Sequence, residues 1–263
     1  MSGQRSRAGR GGGLPPYAPR VSEPTLTLAI EASNPSAAGS TPGVALGRVM
    51  RGPRRAGGPS VEMLGVELLR STARHDDDLL PAVERLWARA AASGLVENRR
   101  EIGHVAVSVG PGGFTGPRVA IAAGKMIAEV LGAGCVAVPS ACVVARRVAA
   151  DFPRPFAVLL ASKRETTIAT VFADGAPGVA REIDAAGLGG LGVRGLIADS
   201  FLPETIGGEA ARLGLQVAEP VFEPAACLEA AADLPPVDPA ELAAIYGREP
   251  EAVRKWRELH GSA

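Results

Sequence analysis

The spacing of apolar and polar positions changes period several times along the chain. Thr25–Ala32 (TLTLAIEA) alternates β-branched and apolar residues, and Gly43–Met50 (GVALGRVM) and Val61–Leu69 (VEMLGVELL) repeat the pattern. Alternation puts every second side chain on one face of a sheet, so three strands are predicted. The connections 34–42 and 51–60 are rich in Pro, Gly and Ser and read as hairpin loops, which makes the three strands an antiparallel meander. The period then lengthens. Leu79, Leu80, Val83, Leu86, Trp87 and Ala90 fall on one helix face. Asp76, Asp77 and Asp78 suit the positive end of that helix, one of them as its cap. Pro81 lies in the first turn, where its missing N–H costs little, and Gly94 ends the element.

His104–Val109 (HVAVSV) is a short apolar run, read as a buried strand. A glycine-rich turn, Gly110–Gly116, leads into a helix over Pro117–Leu131, followed by a strand at Cys135–Val138 and a helix over Ser140–Ala150. The first half therefore reads β-β-β-α-β-α-β-α, a mixed sheet covered by helices. Phe156–Ala161, Thr166–Ala173 and Val179–Ile183 restart the three-strand pattern, so the second half begins as a copy of the first. Beyond them the pattern weakens: Gly187–Gly195 is glycine-rich, Thr205–Leu213 reads as a short helix, and Pro220–Ala232 fits no single template. Pro235–Tyr246 reads as a further helix, and Glu249–His260 is charged, with Trp256 as an anchor. Residues 1–24 are Gly, Pro, Ser and Arg with almost nothing to bury, and read as a disordered basic tail or an arm that touches RNA. The expected organisation is a tail over 1–24, a first lobe over 25–152, a reduced second lobe over 153–246 and a charged segment over 247–263.

Composition narrows the function classes. With 263 residues, 46% hydrophobic and 21% charged, the chain is globular and large enough to need no disulfide or metal staple. Basic and acidic residues balance at 28 each, which excludes a generally basic nucleic-acid binder but not a local patch, since residues 1–24 alone carry a net +3. Three cysteines (Cys135, Cys142, Cys227) form no CxxC pair, so a reducing compartment is expected. No apolar run approaches 18 residues and no signal-peptide core is present, so the expected location is the cytoplasm, with no membrane association.

The segment richest in chemistry is VAVSVGPGGFTGPRVAIAAGKMIAEVL, from Val105 to Leu131. Gly110, Gly112, Gly113 and Gly116 permit backbone angles barred to other residues and allow a backbone or a phosphate to come close. Thr115 or Gly116 serves as N-cap and Pro117 as first helical residue, leaving N–H groups that favour an anion. The turn matches neither GxxxxGK[ST] nor GxGxxG, so it carries no standard nucleotide fingerprint. The helix after it is apolar nearly all round, interrupted only by Arg118, Lys125 and Glu129, and must be covered on more than one side. Ala120, Gly124 and Ala128 at i, i+4, i+8 would let a partner helix pack closely. That partner is either the Leu79–Ala91 helix of the same chain or a second protein.

GPGGFTGPR followed by a small-residue helix resembles the GPGSFTGxR signature of the TsaB (YeaZ) family. LAIEAS resembles that family's opening LAIDTS strand, RHDDDLLPAVERL its HSxxLLPxIxxL helix, and YGREPEAVRKW its YxRxPEAxRKW tail. The matches lie in the same order and run from Leu28 to Trp256. The resemblance implies a two-lobed actin-like ATPase fold (ribonuclease H-like, α/β) with the second lobe reduced. It implies a part in making N6-threonylcarbamoyladenosine beside the tRNA anticodon, as a non-catalytic subunit. Such a subunit pairs with the homologous transferase TsaD through the two first-lobe helices and works with a TsaE-type ATPase, while TsaC-type enzymes supply the threonylcarbamoyl-adenylate and tRNA is the substrate of the complex. Carried onto this chain, the partner face comprises Leu80, Val83, Trp87, Phe114, Arg118, Ala120, Ala123, Gly124 and Ile127. A nucleotide-binding remnant comprises Glu31, Ser33, Gly110, Pro111, Gly112, Gly113 and Thr115, where ATP or ADP would bind weakly. No catalytic residue, metal or required cofactor is expected, and a homodimer is the expected assembly of the chain alone.

Departures from the family pattern leave a second reading open, an actin-like-fold enzyme with its own ATP site. The first-strand acid is Glu31 rather than Asp, followed by Ala32, and Ala161–Ser162 stand where the family has a second-lobe acid. Losing a carboxylate weakens a magnesium–phosphate site. His75 has no second histidine three to five residues away, and His104 suits a strand, so TsaD's paired metal histidines are missing. Ser33, Ser108, Ser140 and Ser162 show no His/Asp partners, and Cys142, at a helix start where its pKa could fall, reads better as core filler.

Overall fold

A computed structural model describes residues 24–34, 39–50, 61–70, 78–113, 115–173, 175–246, 256–257 and 259–261. The first lobe comprises β1 (Thr25–Glu31), β2 (Gly39–Ser40), β3 (Gly43–Val49), β4 (Val61–Leu68), α1 (Leu79–Ala92), β5 (Ile102–Gly110), α2 (Thr115–Leu131), β6 (Gly134–Pro139) and α3 (Ser140–Ala145). The second comprises β7 (Phe156–Lys163), β8 (Thr166–Phe172), β9 (Arg181–Ile183), α4 (Ala185–Leu188), β10 (Gly195–Ala198), α5 (Glu204–Arg212), β11 (Gln216–Ala218), β12 (Val221–Phe222) and α6 (Pro224–Ala231). The two main sheets are built alike. One runs β4-β3-β1-β5-β6, the other β9-β8-β7-β10-β11. In each, an antiparallel meander is followed by two strands parallel to the first.

Strand alternation sorts the core into layers. Leu26, Leu28 and Ile30 of β1 point toward α1 and α2, while Ala29 points the other way. Phe156, Val158 and Leu160 of β7 face α3 and α6, and Ala157 and Leu159 face α4 and α5. The order is therefore α1/α2, first sheet, α3/α6, second sheet, α4/α5. The central strands β1, β3, β5, β7, β8 and β10 are buried on both faces over most of their length, so the hydrophobic effect is spent on three cores, each large buried side chain adding about 1.5–3 kcal/mol.

Two ion-pair clusters fix helices to their neighbours. Arg85 donates to both carboxylate oxygens of Asp78 (2.9 and 2.8 Å) and to Glu67 (2.6 Å), lashing α1 to edge strand β4. Arg147 pairs with Glu223 and Glu229 (2.6 and 2.8 Å), tying the end of α3 to α6. Asp78 precedes α1 but its side chain makes no cap bond; Arg85 and the Arg70 N–H take it instead, and they hold its carboxyl down at about 2.

Several expected elements change. The helix expected over Ser140–Ala150 stops at Ala145. The stretch 235–246 holds one 3-10 turn, Pro239–Glu241, rather than a helix, because its backbone pairs elsewhere: Val237 bridges to Cys135, and the Ile245 N–H donates to Val109 O at 2.8 Å. That stretch returns to the first lobe, where Leu242 enters the α1/α2 core, although the lobe boundary drawn from sequence assigned it to the second. The glycine-rich segment ends in strand β10, which the pattern concealed. The tail over 1–23 and most of 247–263 lie outside the described residues.

Candidate functional site

Glu31 ends β1 and is buried, 1% exposed. Its Oε1 accepts from the Ser33 N–H and the Ser33 hydroxyl, both at 2.7 Å, while its Oε2 is buried with no hydrogen-bond partner. Burial pushes the Glu31 carboxyl above the ordinary range; bonds from Ser33 and the facing Ser108 hydroxyl oppose the shift without offsetting it. Ser108 itself lies 3.0 Å from Ser140 Oγ across β5 and α3.

The glycine turn packs against the Ser33 carbonyl, two residues beyond Glu31. The Gly113 N–H donates to Ser33 O at 2.8 Å, and a Cβ on Gly112 would lie 2.5 Å from the same oxygen. Gly110 has φ +96 and would push a Cβ to 2.9 Å from Ile245 O. Only glycine fits either place. The structure thus brings Glu31, Ser33, Gly110, Pro111, Gly112 and Gly113 together, with Thr115 exposed at the start of α2. Within the turn the Gly113 N–H is taken by Ser33 O, and Ile245 of the 237–246 strap lies against Gly110. Nearby, β2 pairs in parallel with β12 and the Thr41 N–H donates to Phe222 O at 2.9 Å, stitching the first-lobe hairpin loop to the second lobe. At the equivalent end of β7 there is no acid; Ala161 sits at φ +54 and the Ser162 hydroxyl donates to Thr167 Oγ1 at 3.1 Å. Among the described residues no three His, Cys, Asp or Glu side chains converge as a metal site. Cys142 is pushed up to about 11 by burial, the opposite of a thiol activated at a helix start.

The second candidate is the outer face of α1 and α2. Here the structure corrects the sequence reading. Ala120, Ala123 and Gly124 are buried in the chain's own core and cannot meet a partner. A Cβ on Gly124 would already lie 2.5 Å from Val107 Cγ2, so the small-residue row admits strand β5, not a second helix. About half a turn round the helix, Ala122, Met126 and Val130 form the exposed row, Met126 at 49% and Val130 at 77%; on α1, Leu80 is exposed at 44%. Val83, Trp87 and Ile127 are half-buried, with the Arg99 guanidinium 5.7 Å above the Trp87 ring. Arg118 is exposed and donates to Tyr246 Oη at 2.7 Å while its guanidinium lies 5.2 Å from that ring, a contact no sequence signal announced. Phe114 lies outside the described residues.

Residues 69–187 match the family described as TsaD: tRNA N6-adenosine threonylcarbamoyltransferase. Among solved structures, YeaZ from Pseudomonas aeruginosa aligns with a TM-score of 0.54 at 16% identity, covering 84% of this chain and 99% of that one. An uncharacterized protein with similarity to peptidase YeaZ, from Pseudomonas aeruginosa, gives 0.49 at 17% identity, over 85% and 100% of the two chains. The ethanolamine utilization protein EutJ from Carboxydothermus hydrogenoformans gives 0.39 at 14%, over 83% and 91%. No curated protein matches by sequence. The fold is the actin-like ATPase fold in two lobes, and the resemblance to the TsaB (YeaZ) family is borne out by the TsaD match and the shared fold. Among the described residues no helix is long and apolar enough to cross a membrane.

Proposed function

We propose that this chain takes part in the threonylcarbamoyl modification of tRNA adenosine, as a non-catalytic subunit that docks a TsaD-type transferase with the outer face of α1 and α2. The family match and the YeaZ-like fold support the pathway. One observation supports the docking role: Ala122, Met126 and Val130, spaced i, i+4, i+8, leave an apolar row of α2 in water while the opposite side of the helix is already packed. Contiguous exposed apolar surface of this kind marks interaction sites. A stable complex through it would bury about 1,600 Å² in total.

The test is co-purification with a TsaD-type transferase. The double variant Met126→Glu, Val130→Glu puts two carboxylates in the strip and should weaken the complex at least about tenfold, since unpaired charges in an apolar interface are costly. Both positions are exposed, so the melting temperature of the free subunit should be unchanged. Retained binding would exclude this face.

Glu31 supports the competing reading, an enzyme with its own ATP site, because a buried acid with an unpartnered oxygen stands beside a glycine turn. Against it, the Gly113 N–H that could meet a phosphate is already bonded to Ser33 O, and no acid stands at the equivalent end of β7. Calorimetric titration of the isolated chain with Mg-ATP separates the two; micromolar binding with turnover would favour the enzyme.

A further inference from the structure

Away from the glycine turn, a cavity of about 490 Å³ opens between the lobes. That lies within the roughly 300–1,000 Å³ typical of small-molecule sites. Its wall is apolar: Phe156 and Phe172, with rings stacked at 5.2 Å and 10°, together with Ala145, Ala230 and Leu234. Cys142 adds a thiol that burial keeps protonated, so the wall offers no nucleophile at neutral pH. Three charged side chains reach the cavity. Arg146 is paired with Asp233, so the two cancel. Arg154 is different. Its guanidinium lies 5.1 Å from the Phe156 ring, and among the described residues no carboxylate pairs with it. A second guanidinium approaches from Arg194, whose Nε donates to the Arg154 carbonyl.

A planar guanidinium laid on an aromatic face keeps its N–H edge free, and that edge matches a carboxylate in a two-pronged fashion. We propose that this cavity binds a small carboxylate with a compact apolar body, the carboxylate on Arg154 and the body against Ala145, Ala230, Leu234 and the Gly175–Pro177 loop. The cavity draws on α3 of the first lobe and on β7, β8 and α6, so a bound carboxylate braces the two lobes against each other.

Phenylacetate and its neutral isostere phenylacetamide are the probes, with binding followed by saturation-transfer NMR and by thermal shift. Ten heavy atoms bring a dissociation constant of about 0.1–5 mM. The acid should bind at least about fivefold more tightly than the amide, as expected of a charge-assisted contact. Arg154→Gln should erase that preference, and Ala176→Trp, filling the mouth from an exposed loop position, should abolish binding of both. Equal binding of acid and amide overturns the proposal, as does a preference that survives Arg154→Gln, binding that survives Ala176→Trp, or the absence of saturation up to about 20 mM, well beyond the range above.

Discussion

The two lobes share a strand order and differ in almost everything laid on it. The outer face of the first sheet carries helices of 14 and 17 residues; the matching helices of the second have 4 and 9. α2 turns Gly124 toward its sheet, where there is no room for a methyl group, whereas α5 turns Ile206 and Ala210 inward and leaves Gly208 on its solvent side, with nothing within 4 Å of the place a Cβ would take. β1 pairs with β3 in unbroken register up to a buried acid, while the pairing of β7 with β8 shifts between Leu160 and Lys163, where β7 reaches Ala161. The two lobes thus share what a sheet needs, alternation and pairing, and differ in helix length and strand-end chemistry; α2 packs its small residues on β5 and leaves Ala122, Met126 and Val130 facing water.

The sharpest way to break this contrast is to loosen α2. Leu242, 1% exposed, reaches it from the returning C-terminal strap and packs in the first-lobe core. Leu242→Ala should cost about 2–5 kcal/mol, read by urea unfolding. A loss below about 1 kcal/mol would mean the strap is peripheral and the lobe closes without it. Gly124→Ala comes next. Its Cβ would meet Val107 Cγ2 at 2.5 Å, and a valine in a buried strand has little freedom to yield. Overpacking of this sort costs about 1–3 kcal/mol. The exposed row of α2 would then shift, so the same variant should also weaken association with a TsaD-type partner.

Much of this organisation is legible in sequence because a half-buried strand must alternate. The first three long strands come out within one residue of their ends, and α1 and α2 follow from their helical spacing. Motif order finds Glu31, Ser33 and the glycine turn, and the structure brings them together. Three things could not be read. The row Ala120, Gly124, Ala128 signals close approach but not to what; Val105 and Val107 of β5 decide it, and they are distant in sequence. The stretch 235–246 has helical composition, yet bonds to Cys135 and Val109 hold it extended, a tertiary override of local preference. β10 is four residues after a run of glycines, too short to show a period.

The acids sharpen the comparison through pH. Burial raises Glu31 in the folded state, so the unfolded chain releases its proton first as pH climbs past about 4.5. Stability from this group is complete below that value and lost as pH rises toward the folded one. Asp78 has the opposite sign: held at about 2 by Arg85, it contributes above its unfolded value of 3.8 and loses that contribution as pH falls toward 2. Glu31→Gln should therefore raise the melting temperature by roughly 2–4 °C at pH 8 and leave it unchanged near pH 3.5, measured by scanning calorimetry. Arg85→Gln should lower it at pH 7 and matter least at pH 2. An unchanged melting temperature for Glu31→Gln at pH 8 would mean that the orphaned oxygen is solvated.

The smallest effect tests the second lobe alone. Gly208 lies inside α5, exposed, with open space where its side chain would be. Glycine there costs backbone entropy that alanine does not, about 0.5–1 kcal/mol per helical position. Gly208→Ala should thus stabilise the protein by that amount, whereas the same change at Gly124 destabilises it. Opposite signs for one substitution on two topologically matching helices follow because Gly124 faces the sheet and Gly208 faces water. If both changes destabilise, position 208 is packed rather than open, and the placement of α5 is wrong.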